Sequence, residues 1–231
     1  MLPIGDDNPT KIQPIVNWSI IVLCILVFLW QNSGGYSFFI YTLETFGVTP
    51  AFVLDVSYSY TLITNMFLHT SWEHLLGNLM FLWIFGDNVE DCCGHLKYIG
   101  FYLACGVIAS LIWSFTEWGG IIPAVGASGA ISGVLGAYYI LFPNARVKTI
   151  IGLGFFFRVT RVKASTMIGV WFGYQLLLAF ISGFSNVAYW AHVGGFAAGL
   201  VLAYILKPKF RRKDPYVDYY DNYYRNLDDW R

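Results

Sequence analysis

The sequence predicts an all-α membrane protein built as a bundle of six transmembrane helices. Of its 231 residues, 57% are hydrophobic and only 12% are charged, whereas soluble globular chains have about 45–50% and about 25%. So little ionic surface excludes a soluble single domain. The 14 Lys and Arg residues only balance the 14 Asp and Glu residues, so the chain also lacks the basic excess typical of proteins that bind nucleic acid.

Four windows of the sequence contain no charged residue, and each has room for a transmembrane helix. A spanning helix needs about 20 mainly apolar residues. The windows lie between Lys11 and Glu44, Lys97 and Glu117, Glu117 and Arg146, and Lys163 and Lys207. The last window is interrupted by the turn-forming residues 183–186 and therefore predicts two helices.

The distribution of positive charge predicts a sixth helix. All Lys and Arg residues fall at Lys11, at Lys97, within 146–163 and from Lys207 onward, and the positive-inside rule places these four segments in the cytoplasm. An even number of crossings must then separate Lys11 from Lys97, which requires a second helix near 71–90. The predicted spans are 15–31, 71–89, 98–116, 127–142, 166–182 and 189–206, with both termini cytoplasmic.

The segments outside the 15–206 helical domain differ from it in composition. Residues 1–14 are predicted to be a cytoplasmic N-terminus, and residues 207–231 a cytoplasmic tail that is basic at first and then rich in Tyr and Asp. We expect lipid headgroups to contact the basic part of the tail. Within the domain, the aromatic first outer loop, 32–70, is expected to associate with the membrane interface. The short apolar segment 149–157 is expected on the cytoplasmic face.

The four cysteines predict neither a disulfide framework nor a metal site. Cys24 and Cys105 lie inside apolar runs, and the adjacent pair Cys92 and Cys93 has no second pair at metal-ligand spacing.

Polar side chains occur where the predicted helices cross the outer half of the membrane. His74 and Asn78 are one turn apart in the second span, Ser128 lies in the first turn of the fourth, and His192 is about one turn into the sixth. Polar groups are costly in hydrocarbon and usually face a cavity or a partner. Helix packing is an alternative for each residue, because hydrogen bonds between spans and small-residue stripes also hold helices together. Packing does not explain why a hydroxyl, an imidazole and further donors share one depth.

The rows of small residues on the fourth and sixth spans also allow a catalytic interpretation of the polar groups. Glycines on the fourth and sixth spans let the two backbones approach closely, which would bring Ser128 Oγ within reach of His192. Serine is a weak nucleophile until a base takes its proton, and an imidazole can then return that proton to the leaving amine. The nearby acids lie at helix ends or on the inner face, so the sequence predicts a Ser–His dyad rather than a triad. The Ser128 backbone N–H, Asn78 and His74 are candidate donors to the oxyanion.

In this order, the motifs resemble those of the rhomboid intramembrane serine proteases. The resemblance covers residues 15–206 and rests on His69, His74-x-x-x-Asn78, Glu90, the GASG sequence at 126–129, Trp171 with Gln175, and His192-x-x-Gly195-x-x-x-Gly199. It implies a six-helix rhomboid-like bundle with Ser128 as nucleophile and His192 as base. It also implies oxyanion-side roles for His74 and Asn78. Structural roles follow for His69, Glu90, Gly126, Gly129, Gly195 and Gly199.

The same resemblance implies the kind of substrate. Rhomboid proteases cut single-pass membrane proteins within the lipid bilayer, near the outer end of a transmembrane helix, and need no metal or nucleotide cofactor. The bare six-span form without a transit sequence favours a prokaryotic plasma membrane. The oligomeric state stays open at this point.

Two positions depart from the family pattern, and two other functions compete with proteolysis. Family members often carry Trp-Arg where this chain has Tyr60-Thr61, and a Tyr that stacks on the catalytic imidazole where it has Ser132. The second departure leaves the group that orients His192 unassigned. A non-catalytic rhomboid-like protein that binds membrane clients would be expected to lack the Ser or His. A small transporter would be expected to carry buried charges or broken helices at the midplane.

Overall fold

The computed structural model describes residues 1–153, 156–182 and 187–206. Within these ranges the chain forms eight α-helices and one three-stranded sheet. The helices are α1 Ile15–Gln31, α2 Gly35–Phe46, α3 Thr61–Thr64, α4 Trp72–Cys93, α5 His95–Thr116, α6 Ser128–Leu141, α7 Ala164–Ile181 and α8 Tyr189–Leu206. The strands are β1 Leu2–Asp6, β2 Arg146–Leu153 and β3 Phe156–Lys163. The predicted break at 183–186 and the predicted tail 207–231 lie outside the described residues.

The predicted spans correspond to α1 and α4–α8. The bounds of α1 and α8 are those predicted, and the other helices begin or end up to four residues away. By length and composition, α5, α7 and α8 are each long and apolar enough to cross a membrane, whereas α1 and α6 are apolar but shorter. The C-terminal end of α4 shows the largest shift, because this helix continues to Cys93 instead of ending at residue 89.

Glu90 explains why α4 is longer than predicted. Its side chain is fully buried, and its carboxylate oxygens accept hydrogen bonds from the backbone N–H groups of Val16 (3.0 Å) and Asn17 (2.7 Å). These N–H groups belong to the first turn of α1 and have no partner within that helix. The carboxylate also lies 2.5 Å from Nδ1 of His95. Glu90 therefore joins α1, α4 and α5, and the chain turns directly into α5 at Gly94, which has φ +79°.

The first outer loop has more regular structure than the sequence predicts. It contains α2, α3 and three short 3-10 turns. Tyr60, at one of the two unusual positions, donates a hydrogen bond from its hydroxyl to the carbonyl oxygen of Thr45 (2.9 Å), and Thr64 donates to that of Phe46 (2.7 Å). Tyr60 thus ties the second half of the loop to the end of α2.

The all-α prediction is wrong in one region, where β1, β2 and β3 form a sheet. Strands β2 and β3 form an antiparallel hairpin in which Thr149 lies opposite Thr160, and β1 pairs with β2 so that Asp6 lies opposite Val147. Side chains in a strand alternate between its two faces, and Val147 and Thr149 both point to the buried side. The sequence predicts a cytoplasmic location for 149–157, but the alternation of buried and exposed side chains among the basic residues was not predicted.

Backbone contact between α6 and α8 forms the centre of the helical domain. A Cβ added at Gly195 would fall inside contact distance of the carbonyl oxygen of Gly129, and one added at Gly199 would overlap that of Gly133. Side chains larger than hydrogen would force these two helices apart. The glycine stripes therefore set the closeness of the elements that carry Ser128 and His192.

Candidate active site

Ser128 is the first residue of α6 and lies two residues after Gly126, a glycine whose backbone is left-handed. Gly126 has φ +129°, a conformation that L side chains rarely adopt. A methyl group on Gly126 would lie 2.6 Å from His74 Nε2 and 3.7 Å from Ser128 Oγ. The imidazole from α4 and the hydroxyl from α6 therefore face the same small space beside Gly126.

Ser128 and His192 are joined by a hydrogen bond. Ser128 Oγ lies 2.8 Å from His192 Nε2, and His192 sits in the first turn of α8. On its other side the ring contacts α7, where Nδ1 lies 2.8 Å from Gln175 Oε1. A neutral imidazole has one N–H and one acceptor nitrogen. Since an amide oxygen only accepts, the proton belongs on Nδ1, and Nε2 is free to accept the serine proton.

His74 is held in the opposite tautomer. The backbone N–H of Thr70 donates to its Nδ1 (3.5 Å), and the Thr70 hydroxyl lies 3.1 Å from the same nitrogen. Because Nδ1 accepts, the neutral ring carries its proton on Nε2, the nitrogen beside Gly126. His74 thus presents an N–H to the space in front of Ser128.

Asn78 lies one turn further along α4. Its side chain is buried, and its Nδ2 has no hydrogen-bond partner within the described part of the chain. Buried polar atoms are nearly always paired, so an unpaired amide donor indicates a group held ready for something that the chain itself does not supply.

A cavity extends behind Ser128 toward α5. Asn65 and Ser110 contribute polar groups to its wall, while Met66 and Trp113 contribute apolar surface. The Ser110 hydroxyl donates a hydrogen bond to Asn65 Oδ1 (3.4 Å). The wall next to the hydroxyl of Ser128 is therefore partly polar.

Similarity to known proteins identifies the family of the chain. The Rhomboid domain matches residues 57–209. The chain belongs to the rhomboid family. It is 33% identical over 170 residues to the rhomboid protease GluP of Bacillus subtilis (strain 168), an alignment that covers 68% of this chain and 33% of GluP.

Two further relatives each match about two thirds of this chain. The putative rhomboid protease YdcA of the same Bacillus strain is 31% identical over 154 residues, which cover 66% of this chain and 69% of YdcA. The yeast Rhomboid protein 1, mitochondrial, is 27% identical over 155 residues, covering 63% of this chain and 41% of the yeast protein. The chain thus spans only a third of GluP and under half of the yeast relative. Its apolar helices and its family identify it as an integral membrane protein.

His69 and Glu90, two of the residues with an implied structural role, lie near opposite ends of α4. His69 is fully buried, and its ring meets that of His74 edge to face, with centroids 5.1 Å apart. Its backbone N–H donates to Gln31 Oε1 (3.1 Å), which ties the loop to α1. Glu90 follows His74 by 16 residues, or about 24 Å along a helix, so it stabilises the C-terminal end of α4, where α1 and α5 begin, and lies far from Ser128.

Sequence reasoning missed the residue that contacts Nδ1 of His192 in this rhomboid-family chain. Ser132, at the position where a stacking Tyr is usual, donates its hydroxyl to the carbonyl oxygen of Ser128 (2.6 Å). The partner of the ring is instead Gln175. The available signal was an isolated amide in the apolar helix α7, but the sequence alone does not show which way that amide points.

Proposed function

We propose that this chain is an intramembrane serine endopeptidase in which Ser128 is the nucleophile and His192 the general base. The observation that carries the proposal is the 2.8 Å contact between Ser128 Oγ and His192 Nε2, with the Nδ1 proton directed at Gln175. Two relatives that bear the name rhomboid protease add support.

The proposed reaction is an acyl transfer in two halves. His192 Nε2 takes the Ser128 hydroxyl proton as Oγ attacks the carbonyl carbon of the scissile peptide bond. The resulting tetrahedral intermediate collapses, the C–N bond breaks, and the imidazolium gives its proton to the leaving amine. Water then attacks the ester carbon as it loses a proton to His192, the acyl C–O bond breaks, and His192 returns the proton to Ser128 Oγ, which regenerates both residues.

Three donors are proposed to stabilise the oxyanion of the tetrahedral intermediate. The Ser128 backbone N–H lies at the N-terminus of α6, where N–H groups have no partner inside the helix. Nε2–H of His74 faces the same space, and Asn78 has an unpaired Nδ2. When such donors are in place before the reaction, removing one of them lowers kcat by about 10²–10³-fold.

The proposed topology places the site near the outer face of the membrane. Helices α1 and α4–α8 would make six crossings within residues 15–206, with residues 1–14 and 207–231 in the cytoplasm and α2 and α3 in the outer interface. The active site would then be reached from the outer side, where α4, α6 and α8 begin. The proposed substrates are single-pass membrane proteins, and the proposed location is a prokaryotic plasma membrane.

Serine-directed labelling of the full-length protein in detergent tests the proposal. We expect a fluorophosphonate probe to label the wild type but not Ser128→Ala. The same substitution should abolish cleavage of a single-pass reporter substrate. Ser19→Ala is the matched control, because Ser19 is exposed on α1 and its hydroxyl bonds only its own helix. Labelling that persists in Ser128→Ala contradicts the mechanism, and client binding without cleavage by the wild type would favour the non-catalytic alternative.

A further inference from the structure

We infer that Gln175 is a positioning residue for the proposed reaction, because it fixes both the tautomer and the ring orientation of His192. The inference rests on the proposed function of Ser128 and His192. It assigns a role to a residue on a third helix, α7, that has no contact with the nucleophile in the part of the chain that the structure describes.

The hydrogen bonds of the imidazole leave one consistent proton arrangement. Nε2 must accept from Ser128 Oγ for the serine to lose its proton, so Nδ1 must carry the ring hydrogen. Gln175 Oε1 lies 2.8 Å from Nδ1 and accepts it. The other tautomer would set the Nδ1 lone pair against the amide oxygen and a hydrogen against the serine hydroxyl. The neutral amide of Gln175 thus selects the reactive tautomer of His192 without placing a charged side chain in the membrane.

Burial and packing hold Gln175 in this position. Its side chain is only 8% exposed, so it has little freedom to turn toward solvent. Three residues before it, Phe172 stacks on Phe196 of α8 with ring centroids 4.1 Å apart and planes 19° apart. This stack joins α7 to α8 beside the hydrogen bond and sets the rotation of α7 that points Gln175 at the ring.

The aromatic neighbours of His192 do not replace the hydrogen bond. The rings of Trp171 and Tyr189 have centroids 6.3 and 6.2 Å from the imidazole centroid. At these distances they limit how far the ring tilts, but they provide no acceptor for Nδ1. Ser132 is too small to stack and is bonded within α6. Orientation of the base therefore depends on an amide from α7.

Two substitutions at Gln175 and one neighbouring control test the inference. Gln175→Met keeps the length of the side chain but removes the acceptor, and we expect kcat to fall roughly 10–100-fold with KM within twofold of wild type. Gln175→Glu restores an acceptor, and we expect higher activity than in Gln175→Met above neutral pH. Because a carboxylate stabilises the imidazolium, the acidic limb of the Gln175→Glu rate profile should move to higher pH. Leu177→Met is the control, since Leu177 is 54% exposed on the same helix.

Failure of the inference and failure of the proposed function give different results. A kcat of Gln175→Met within twofold of wild type overturns it, as does a Gln175→Glu profile that superimposes on the wild-type acidic limb. The pH profile of Gln175→Glu still tests the inference if Gln175→Met fails to fold. If the wild type itself shows no Ser128-dependent cleavage, the proposed function fails. An active wild type with an unaffected Gln175→Met overturns only the role of Gln175.

Discussion

At the scale of single residues, the proposed site contains a buried polar atom that the described chain leaves without a partner. It is Nδ2 of Asn78. Leaving a buried polar group unpaired costs about 1–3 kcal/mol. Such a cost is typical of functional sites, where groups are kept ready for a transition state and not for the folded ground state.

Replacing Asn78 should therefore separate activity from stability. We expect Asn78→Leu to lower kcat about 100-fold or more, because an oxyanion donor is lost, while the thermal midpoint does not fall, because an unpaired amide is replaced by an apolar group of similar size. Cleavage kinetics and thermal unfolding measure the two effects. An unchanged kcat in this variant would show that Asn78 is not an oxyanion donor.

At the scale of elements, the relation between α6 and α8 decides whether Ser128 and His192 meet. The glycines at their interface contact backbone atoms of the other helix, and a carbonyl oxygen cannot move aside as a flexible side chain can. Dense packing transmits such a change along the interface. The first turn of each helix, where the two residues lie, would be displaced with it.

A single added methyl group tests this dependence. Gly195→Ala should lower stability by about 1–3 kcal/mol through overpacking, and it should slow cleavage about 100-fold, because a displacement of about 1 Å has that effect on a reacting pair. Gly100→Ala on α5 is the control, since a Cβ there meets open space. Equal unfolding midpoints and rates for the two variants would contradict the close α6–α8 packing.

The sheet provides a second element-scale prediction, through Asp6. Burial raises the pKa of Asp6 to about 7, although a hydrogen bond donated by the Tyr138 hydroxyl (2.5 Å) lowers it. The carboxyls of Asp7 and Asp87 lie close enough to interact with it. The folded protein therefore binds a proton that the unfolded chain, with an Asp pKa near 3.8, releases.

The resulting stability is present at low pH and is lost as pH rises from about 4 through about 7. We expect the thermal midpoint of the wild type to fall between pH 5 and pH 8 relative to that of Asp6→Asn, which cannot ionise. Glu44→Gln, at an exposed carboxylate of α2, should follow the wild type. Parallel curves for wild type and Asp6→Asn would show that β1 docks without a protonated Asp6.

At the scale of the whole molecule, the sequence predicted the helices and the meeting of Ser128 with His192 better than it predicted the sheet or Gln175. A long window without charged residues predicts a whole transmembrane helix, and glycines at helical spacing indicate where the backbones of two helices approach each other. Pairing of β1 with β2 leaves no local signal, because Asp6 and Val147 are far apart in the chain. Gln175 points at the His192 ring only because of the rotation of α7 about its own axis. The sequence of α7 is uniformly apolar and does not determine that rotation.

The proposed six-span topology makes a prediction for the whole molecule. The four native cysteines are all buried, so single cysteines can be introduced without removing them. We expect a membrane-impermeant maleimide to label Ile121→Cys, which is 79% exposed before α6, on intact cells. Val159→Cys, 60% exposed on β3, should react only after permeabilisation. Labelling of both from the same side would contradict an odd number of crossings between them.

The sheet also has a consequence for how the protein is made. β1 leaves the ribosome about 140 residues before the strand that it pairs with, and at about 5–20 residues per second it waits roughly 7–30 s for that partner. During this time several helices are already being inserted. The sheet can close only after α6 has been synthesised, so its formation marks a late step in biogenesis.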